Sequence, residues 1–209
     1  FLGTLLAQTK KFNEAKQLLN KVIEIQPHNK DAHNNLGNVL KELGEFQKAI
    51  SCYQKVLQID PDFIFAHDNL GTVFKELGEH EKSIICYQKA IKIQPNYVAA
   101  HNNLGIIYKE LGEYQKYIDD YTNAIQGNAY DYPGFYSGRG YSYARLGEYH
   151  KAISDYTEAI LIDPGNAGYY YNRGLNHHRS GQYTGAINDY TEAIRLDAGF
   201  APAYYNRGI

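Results

Sequence analysis

The sequence predicts an all-α solenoid in which antiparallel helix pairs stack one on the next. Related sequence returns every 34 residues, as the openings at Ala32, Ala66 and Ala100 show, and periods of this length are typical of stacked repeats. Each repeat carries two runs of apolar residues at helical spacing. A Gly follows the first run and a Pro follows the second, at the places where helices end.

The repeats are numbered so that the closing Pro, as in Pro61, is position 32. More distant copies of the opening sequence start at Tyr136, Tyr170 and Tyr204. Both ends of the sequence cut through a first helix, and we therefore interpret 1–209 as one solenoid excerpted from a longer array or a larger protein. The predicted complete repeats are 30–63, 64–97, 98–132 with one inserted residue, 133–166 and 167–200, and the partial repeats are 1–29 and 201–209.

The helices of one repeat follow from its apolar residues and its glycines. Gly44 between the two runs is expected to supply a left-handed cap. Gly37 lies inside the first helix, where Gly costs about 1 kcal/mol relative to Ala, so we expect a close helix crossing with the small Ala49 opposite. The apolar positions are Leu36, Val39, Leu40 and Leu43 in the first helix, and Ala49, Ile50, Tyr53, Val56 and Leu57 in the second.

The pattern of Leu36-Gly37, Ala49, Tyr53 and Pro61 resembles the tetratricopeptide repeat. The resemblance implies a right-handed superhelix whose first helices line a concave groove. It also implies a non-catalytic scaffold that binds other proteins. The first half is similar to the superhelix of O-linked N-acetylglucosamine transferases, in which asparagines hold the substrate polypeptide.

Position 6, which the resemblance places in the groove, is Asn in most repeats. Asn costs up to roughly 0.7 kcal/mol relative to Ala inside a helix, so its recurrence asks for a reason. An amide both donates and accepts hydrogen bonds and is suited to the backbone of an extended peptide. The alternative is that the amides only bridge neighbouring repeats. This asparagine ladder comprises Asn35, Asn69, Asn103, Asn172 and Asn206, with Gly138 interrupting it.

Other groove positions change character along the chain. Through Tyr117 there are 14 Lys and no Arg, whereas the remainder has 6 Arg and 1 Lys together with 15 of the 21 Tyr. Position 13 accordingly changes from Glu to Arg. Charged groups at a binding surface affect specificity and on-rate more than affinity. The further candidates for peptide binding are Lys41, Lys75 and Lys109 at position 12, with Tyr141 and Tyr171.

The two kinds of repeat meet in an irregular unit. Tyr117 stands at position 20, where Ala49 and Ala152 stand in other repeats, and Ala129 replaces the closing Pro. A Tyr at a close helix crossing should push the pair apart. We expect a kink or a change of pitch here, or else only a longer loop through residues 127–134.

Composition excludes several functions. The net charge of −2 and the pI of about 6.5 argue against nucleic-acid binding, and no apolar run reaches the ~20 residues of a membrane span. Cys52 and Cys86 share position 23 in adjacent repeats, ~10 Å apart, too far for a disulfide. We expect reduced thiols, which favours a cytoplasmic location.

No catalytic or metal site is predicted. His33, His67 and His101 share position 4, and stacking keeps equivalent positions ~10 Å apart, too far to bind one metal ion. Every Gly is explained by a crossing or a turn, so no cofactor is expected.

The sequence therefore predicts a protein-interaction scaffold, not an enzyme, that binds an extended peptide or protein segment in its groove. Two alternatives stay open. The chain could be the substrate-recognition arm of a larger enzyme such as a glycosyltransferase. It could also be a structural array that self-associates head to tail through ends that lack polar capping repeats.

Overall fold

The computed structural model describes residues 11–127 and 131–208, and every helix or strand assigned in those ranges is an α-helix. No helix in them is long and apolar enough to cross a membrane. The all-α repeat solenoid predicted from the sequence is confirmed. The helices are α1 (Phe12–Ile25), α2 (Lys30–Glu42), α3 (Phe46–Ile59), α4 (Ile64–Glu76), α5 (His80–Ile93), α6 (Val98–Leu111), α7 (Tyr114–Gln126), α8 (Pro133–Arg145), α9 (Tyr149–Ile162), α10 (Ala167–Arg179), α11 (Tyr183–Leu196) and α12 (Ala201–Arg207).

The helices group into two compact units that divide between Ile107 and Tyr108. In the first unit α2 packs along α3 and α4 along α5, and α3 also contacts α4 of the following repeat. In the second unit α8 packs along α9 and α10 along α11, and α9 contacts α10. Each repeat thus buries its apolar face partly against its own partner helix and partly against the next repeat.

Glycine ends the first helix of each pair, as predicted. Gly44 has φ of 72°, a conformation that costs Gly nothing. The Gly44 amide donates to the Lys41 carbonyl at 2.9 Å and the Glu45 amide donates to the Leu40 carbonyl at 2.8 Å. These two bonds satisfy carbonyls that the helix end leaves unpaired. Equivalent positive φ angles occur at Gly78, Gly112, Gly147 and Gly181.

The glycine inside the first helix lies against an aromatic ring in several repeats. A Cβ added to Gly37 would lie 2.5 Å from Cε1 of Tyr53, and one added to Gly71 would lie 2.6 Å from Cε1 of Tyr87. The close crossing is therefore confirmed, and the nearest group at Gly37 is the Tyr53 ring. At Gly140 an added Cβ would also lie 3.3 Å from the carbonyl oxygen of Ala152, the small residue at position 20. The position-24 Tyr fills that space because its buried ring crosses the first helix.

The irregular unit has a buried aromatic cluster in place of the usual small residue. The Tyr117 ring meets the Tyr121 ring edge-on at 4.5 Å, and Tyr121 lies 4.9 Å from the ring of Phe135. A Cβ on Gly138 would lie 2.2 Å from Cε2 of Tyr121 and 2.9 Å from the Tyr117 hydroxyl. The ladder is interrupted at Gly138 because these two rings occupy the space that a side chain would need.

The change of pitch expected at this unit stays a prediction. Helix α7 ends at Gln126 and α8 begins at Pro133. Residues 128–130 of the predicted longer loop, including the Ala129 that replaces the closing Pro, lie outside the described residues.

Candidate functional site

Three amides of the asparagine ladder donate hydrogen bonds to the preceding repeat. Asn69 Nδ2 donates to Asn34 Oδ1 at 3.1 Å, and Asn103 Nδ2 donates to Asp68 Oδ1 at 3.4 Å. In the second unit Asn206 Nδ2 donates to the Tyr171 hydroxyl at 3.0 Å. The acceptor stands at position 5 of the preceding repeat each time, so the ladder links adjacent first helices.

These links order the ladder without using all of its hydrogen-bonding capacity. The ladder asparagines are half-buried, and Asn35 is also in contact with other residues. An amide has two N–H donors and a carbonyl acceptor, and the bond to position 5 uses one N–H. Bridging of the stack and binding of a peptide backbone are therefore compatible, and the binding role stays a prediction.

In the first unit the ladder adjoins the carboxyl group of Asp68. Burial raises the pKa of Asp68, while the bond from Asn103 and the charges of Lys41 and Lys75 oppose the rise. The structure thus places two of the predicted lysines close enough to act on one half-buried acid. Sequence reasoning did not select Asp68, although its acidic side chain alternates with Asn34 at position 5.

An exposed aromatic group lies in the same unit. The Phe65 ring is 53% exposed and stands at position 2 of its repeat, a position that the family resemblance places in the groove. It packs edge-on against Phe63 at 5.7 Å and against Tyr97 at 6.4 Å. An aromatic residue at a groove position was the signal that could have marked Phe65 as a contact for a ligand.

In the second unit, four side chains form what we call the Tyr141 cluster, namely Lys109, Tyr114, Tyr141 and Arg145. Lys109 Nζ lies 5.0 Å from the Tyr141 ring centroid, and the Arg145 guanidinium lies 4.8 Å from the Tyr114 centroid. The Arg145 guanidinium also donates to the Tyr141 hydroxyl at 2.9 Å. The predicted site residues Lys109 and Tyr141 are therefore brought together.

Tyr171 differs from Tyr141 because much of its ring packs inside the repeat. Its centroid lies 5.9 Å from that of Tyr190 and 5.2 Å from that of Phe200, and its hydroxyl accepts the bond from Asn206. Tyr171 therefore belongs mainly to the packing of its repeat.

The second unit also contains a repeated ionic contact that sequence reasoning missed. Arg139 at position 7 donates two bonds to Asp155 at position 23, at 2.8 and 2.7 Å, and a third to Thr122 of the preceding repeat at 3.1 Å. Arg173 does the same with Asp189, at 2.9 and 2.7 Å, and with Thr157, at 3.1 Å.

This contact joins two helices of one repeat to the repeat before it. Asp155 is 7% exposed and Arg139 is 17% exposed, so the pair is largely shielded from water. Burial raises the pKa of Asp155, and the guanidinium of Arg139 opposes that rise. The signal was present in the sequence, because repeats 133–166 and 167–200 carry Arg at position 7 and Asp at position 23, where repeats 30–63 and 64–97 carry Leu and Cys.

The position-4 histidines have a structural partner. His33, His67 and His101 each place Nε2 2.8–2.9 Å from the carbonyl oxygen of the Pro that closes the preceding repeat. A carbonyl only accepts, so Nε2 carries the proton. Over the residues with assigned positions, no group of three or more His, Cys, Asp or Glu is arranged to hold a metal ion.

Both cysteines are free thiols. Burial raises the pKa of Cys86, and likewise that of Cys52, to about 11. Since the thiolate is the reactive form, neither side chain is prepared for nucleophilic chemistry.

Solved structures with the same fold come from several proteins. The chain is similar to YrrB, described as a TPR protein with an unusual peptide-binding site, with 20% identity, a TM-score of 0.73 and coverage of 91% of this chain and 98% of that chain. It is similar to MamA with 27% identity, a TM-score of 0.70 and coverage of 82% and 93%. PilF of Pseudomonas aeruginosa gives 20% identity, a TM-score of 0.72 and coverage of 99% and 94%.

Family models match most of the sequence, whereas no curated protein sequence matches it significantly. The model described as tetratricopeptide repeat matches residues 31–63. The model described as TPR repeat matches residues 3–44, 71–112, 140–181 and 176–209. These segments cover more than half of the sequence and include repeats from both compact units. The chain therefore belongs to the tetratricopeptide repeat family.

Proposed function

We propose that this chain is a non-catalytic scaffold that binds an extended polypeptide segment along the first helices of its repeats. The observation that carries the proposal is the asparagine ladder, whose amides are half-buried and three of which, Asn69, Asn103 and Asn206, are ordered by bonds to the preceding repeat. The peptide-binding site named for the structurally similar YrrB supports it. The net charge of −2 favours a protein partner over nucleic acid.

An extended segment matches the ladder in chemistry and in spacing. Its backbone N–H and C=O groups are unpaired and need partners when they leave water. Adjacent first helices lie about 10 Å apart, and an extended chain rises about 3.3 Å per residue. One ladder asparagine therefore meets roughly every third residue of the ligand, and recognition depends on the backbone more than on side chains.

The aromatic and charged side chains beside the ladder provide selectivity. In the first unit Phe65 offers an apolar contact, and Lys41, Lys75 and Asp68 offer charges of both signs. In the second unit the Tyr141 cluster offers cations and aromatic rings. We propose that these groups select among segments that the amides would otherwise bind alike.

The test is binding of unstructured peptides of varied sequence, measured by fluorescence anisotropy. The combined change Asn35→Ala, Asn69→Ala and Asn103→Ala is expected to weaken binding at least tenfold, since each lost amide costs about 0.5–1.5 kcal/mol. The matched control is Asn13→Ala, Asn20→Ala and Asn96→Ala, which removes three exposed asparagines of the same unit.

Circular dichroism decides whether the ladder variant is still folded. Loss of binding with retained helicity supports the proposal. Equal affinity of the ladder and control variants would overturn it and leave the amides with a bridging role alone. If the ladder variant unfolds, single substitutions at Asn69 and Asn103 replace it, compared at a temperature where both stay helical.

A further inference from the structure

The Tyr141 cluster places two cations against one pair of aromatic rings. Lys109 on α6 and Arg145 on α8 lie 5.0 and 5.9 Å from the Tyr141 centroid, and the Tyr114 ring of α7 meets Tyr141 edge-on at 6.2 Å. Three helices therefore contribute to one surface. Cations over ring faces are held by the ring quadrupole, so both charges are positioned before any ligand arrives.

These two cations have no carboxylate partner, unlike lysines elsewhere in the unit. Lys116 is paired with Glu113 at 2.8 Å, and Lys151 is paired with Glu148. Neither Lys109 nor Arg145 forms an ion pair within the described ranges, and both are exposed. Tyrosines, not acids, raise the pKa of Arg145. Glu110 adjoins Lys109 in sequence, but within the described ranges it forms no ion pair with Lys109, unlike Glu42 with the equivalent Lys41.

The equivalent surface of the first unit has a different balance of acidic and basic side chains. There Lys41 lies 3.5 Å from Glu42 at position 13, so position 13 supplies the neutralising acid. In the second unit position 13 is Glu110, then Arg145 and then Arg179, and both arginines are exposed. Arg179 opposes the burial-driven rise in the pKa of Tyr156, to which Tyr141 contributes. The cationic surface therefore extends from the Tyr141 cluster toward the following repeat.

We propose that the Tyr141 cluster binds side-chain carboxylates, so that the segment held by the second unit carries Asp or Glu where it crosses Lys109 and Arg145. This proposal rests on the peptide-binding function above and names the ligand class for one part of that surface. A guanidinium stacked on Tyr114 can give two parallel N–H bonds to one carboxylate. The Lys109 ammonium adds a second charge from the other side of the cluster.

The experiment compares three C-terminally amidated peptides of otherwise identical sequence, carrying two Glu, two Gln or two Lys at the centre. Amidation removes the terminal carboxylate, so any preference reports on side chains. The Glu peptide is expected to bind the wild-type chain at least tenfold more tightly than the Gln peptide, because a hydrogen bond between two charged groups is stronger than one to a neutral amide. Raising the salt from 0.05 to 0.5 M should reduce that ratio, because salt shortens the distance over which charges attract each other. The Debye length passes through roughly 8 Å within this range.

Variants then assign the preference to the cluster. Arg145→Gln should lower the Glu-to-Gln affinity ratio to about twofold or less, and Lys109→Gln should lower it by a smaller factor. Lys151→Gln removes a cation of the same unit that is already paired and should leave the ratio unchanged.

The outcomes separate this inference from the function on which it rests. Equal binding of the Glu and Gln peptides, or an unchanged ratio in Arg145→Gln, overturns the inference while leaving a backbone-reading scaffold in place. If no peptide binds the wild-type chain, both the inference and the proposed function fail.

Discussion

The two compact units build the same helix pairs with different chemistry at equivalent positions. In the first unit position 7 is Leu36 or Leu70 and position 23 is Cys52 or Cys86, all apolar or nearly so. In the second unit the same positions hold Arg139 with Asp155 and Arg173 with Asp189, joined by two bonds each. The comparison shows that these repeats fill the two positions with either an apolar or an ionic contact, while the repeat between them combines Leu104 with Asp120.

The residue at position 4 and its partner also differ between the two units. In the first unit His33 and His67 hydrogen-bond to the closing Pro of the preceding repeat. In the second unit Tyr136 and Tyr170 stand there instead and lie 5.8 and 5.6 Å from the guanidinium carbons of the position-7 arginines. The arginine at position 7 thus contacts both the Asp at position 23 and the Tyr at position 4. In the first unit position 23 is a Cys, and the His at position 4 bonds to the Pro carbonyl instead.

The largest expected effect comes from breaking one ionic pair. Arg139→Leu leaves the buried carboxylate of Asp155 without its partner and should lower the free energy of unfolding by about 3 kcal/mol. Urea denaturation followed by circular dichroism measures the change. The double variant Arg139→Leu, Asp155→Cys reproduces the first unit's pair and should recover most of the loss. A double variant no more stable than the single one would contradict the equivalence of the two contacts.

Restoring the interrupted ladder position should be the next most disruptive change. Gly138→Asn places a Cβ where Tyr121 and Tyr117 already lie, and overpacking of this kind costs about 1–3 kcal/mol. Thermal denaturation reports the cost. Adding Tyr117→Ala, the residue type of regular repeats, should relieve part of it. If Gly138→Asn alone is neutral, the aromatic cluster is not the reason for the missing asparagine.

A smaller effect is expected at position 4. His67→Phe keeps the ring but removes the bond to the Pro61 carbonyl, and should cost about 1 kcal/mol. The matched change in the second unit, Tyr170→Phe, keeps the ring that lies near Arg173 and should cost less than half as much. Both are read from urea denaturation midpoints, and equal costs would remove the distinction between the two units at this position.

The smallest effect on the fold, but a clear chemical signal, concerns the first unit's thiols. Burial raises the pKa of Cys86 to about 11, against about 8.5 when unfolded. Its alkylation by iodoacetamide at pH 8 should therefore be roughly 100-fold slower in the native Cys52→Ser protein than in urea, because less thiolate is present.

The same shift sets a pH dependence of stability. The folded pKa is raised, so this stabilising contribution is complete below about pH 8.5 and is lost as the pH rises toward 11. Native alkylation as fast as that in urea would show that Cys86 is not buried.

Much of the fold follows from the sequence because the period, the apolar runs and the turn glycines are local signals. Gly44 was correctly predicted as a left-handed cap for this reason. The ring that lies nearest to Gly37 was not predicted, since Tyr53 reaches it only through the packing of two helices. The bonds from Asn69 and Asn103 to position 5 join residues 35 apart and depend on the register of neighbouring repeats, which spacing alone does not give.

The central claim is that the amides of the asparagine ladder contact the backbone of a bound segment. The most direct measurement is a heteronuclear NMR titration that follows the side-chain NH2 signals of Asn35, Asn69 and Asn103 as an unstructured peptide is added. The account predicts that these signals shift together and saturate with the peptide, while those of the exposed Asn13, Asn20 and Asn96 stay in place. Saturable binding that leaves the ladder signals unmoved would contradict it.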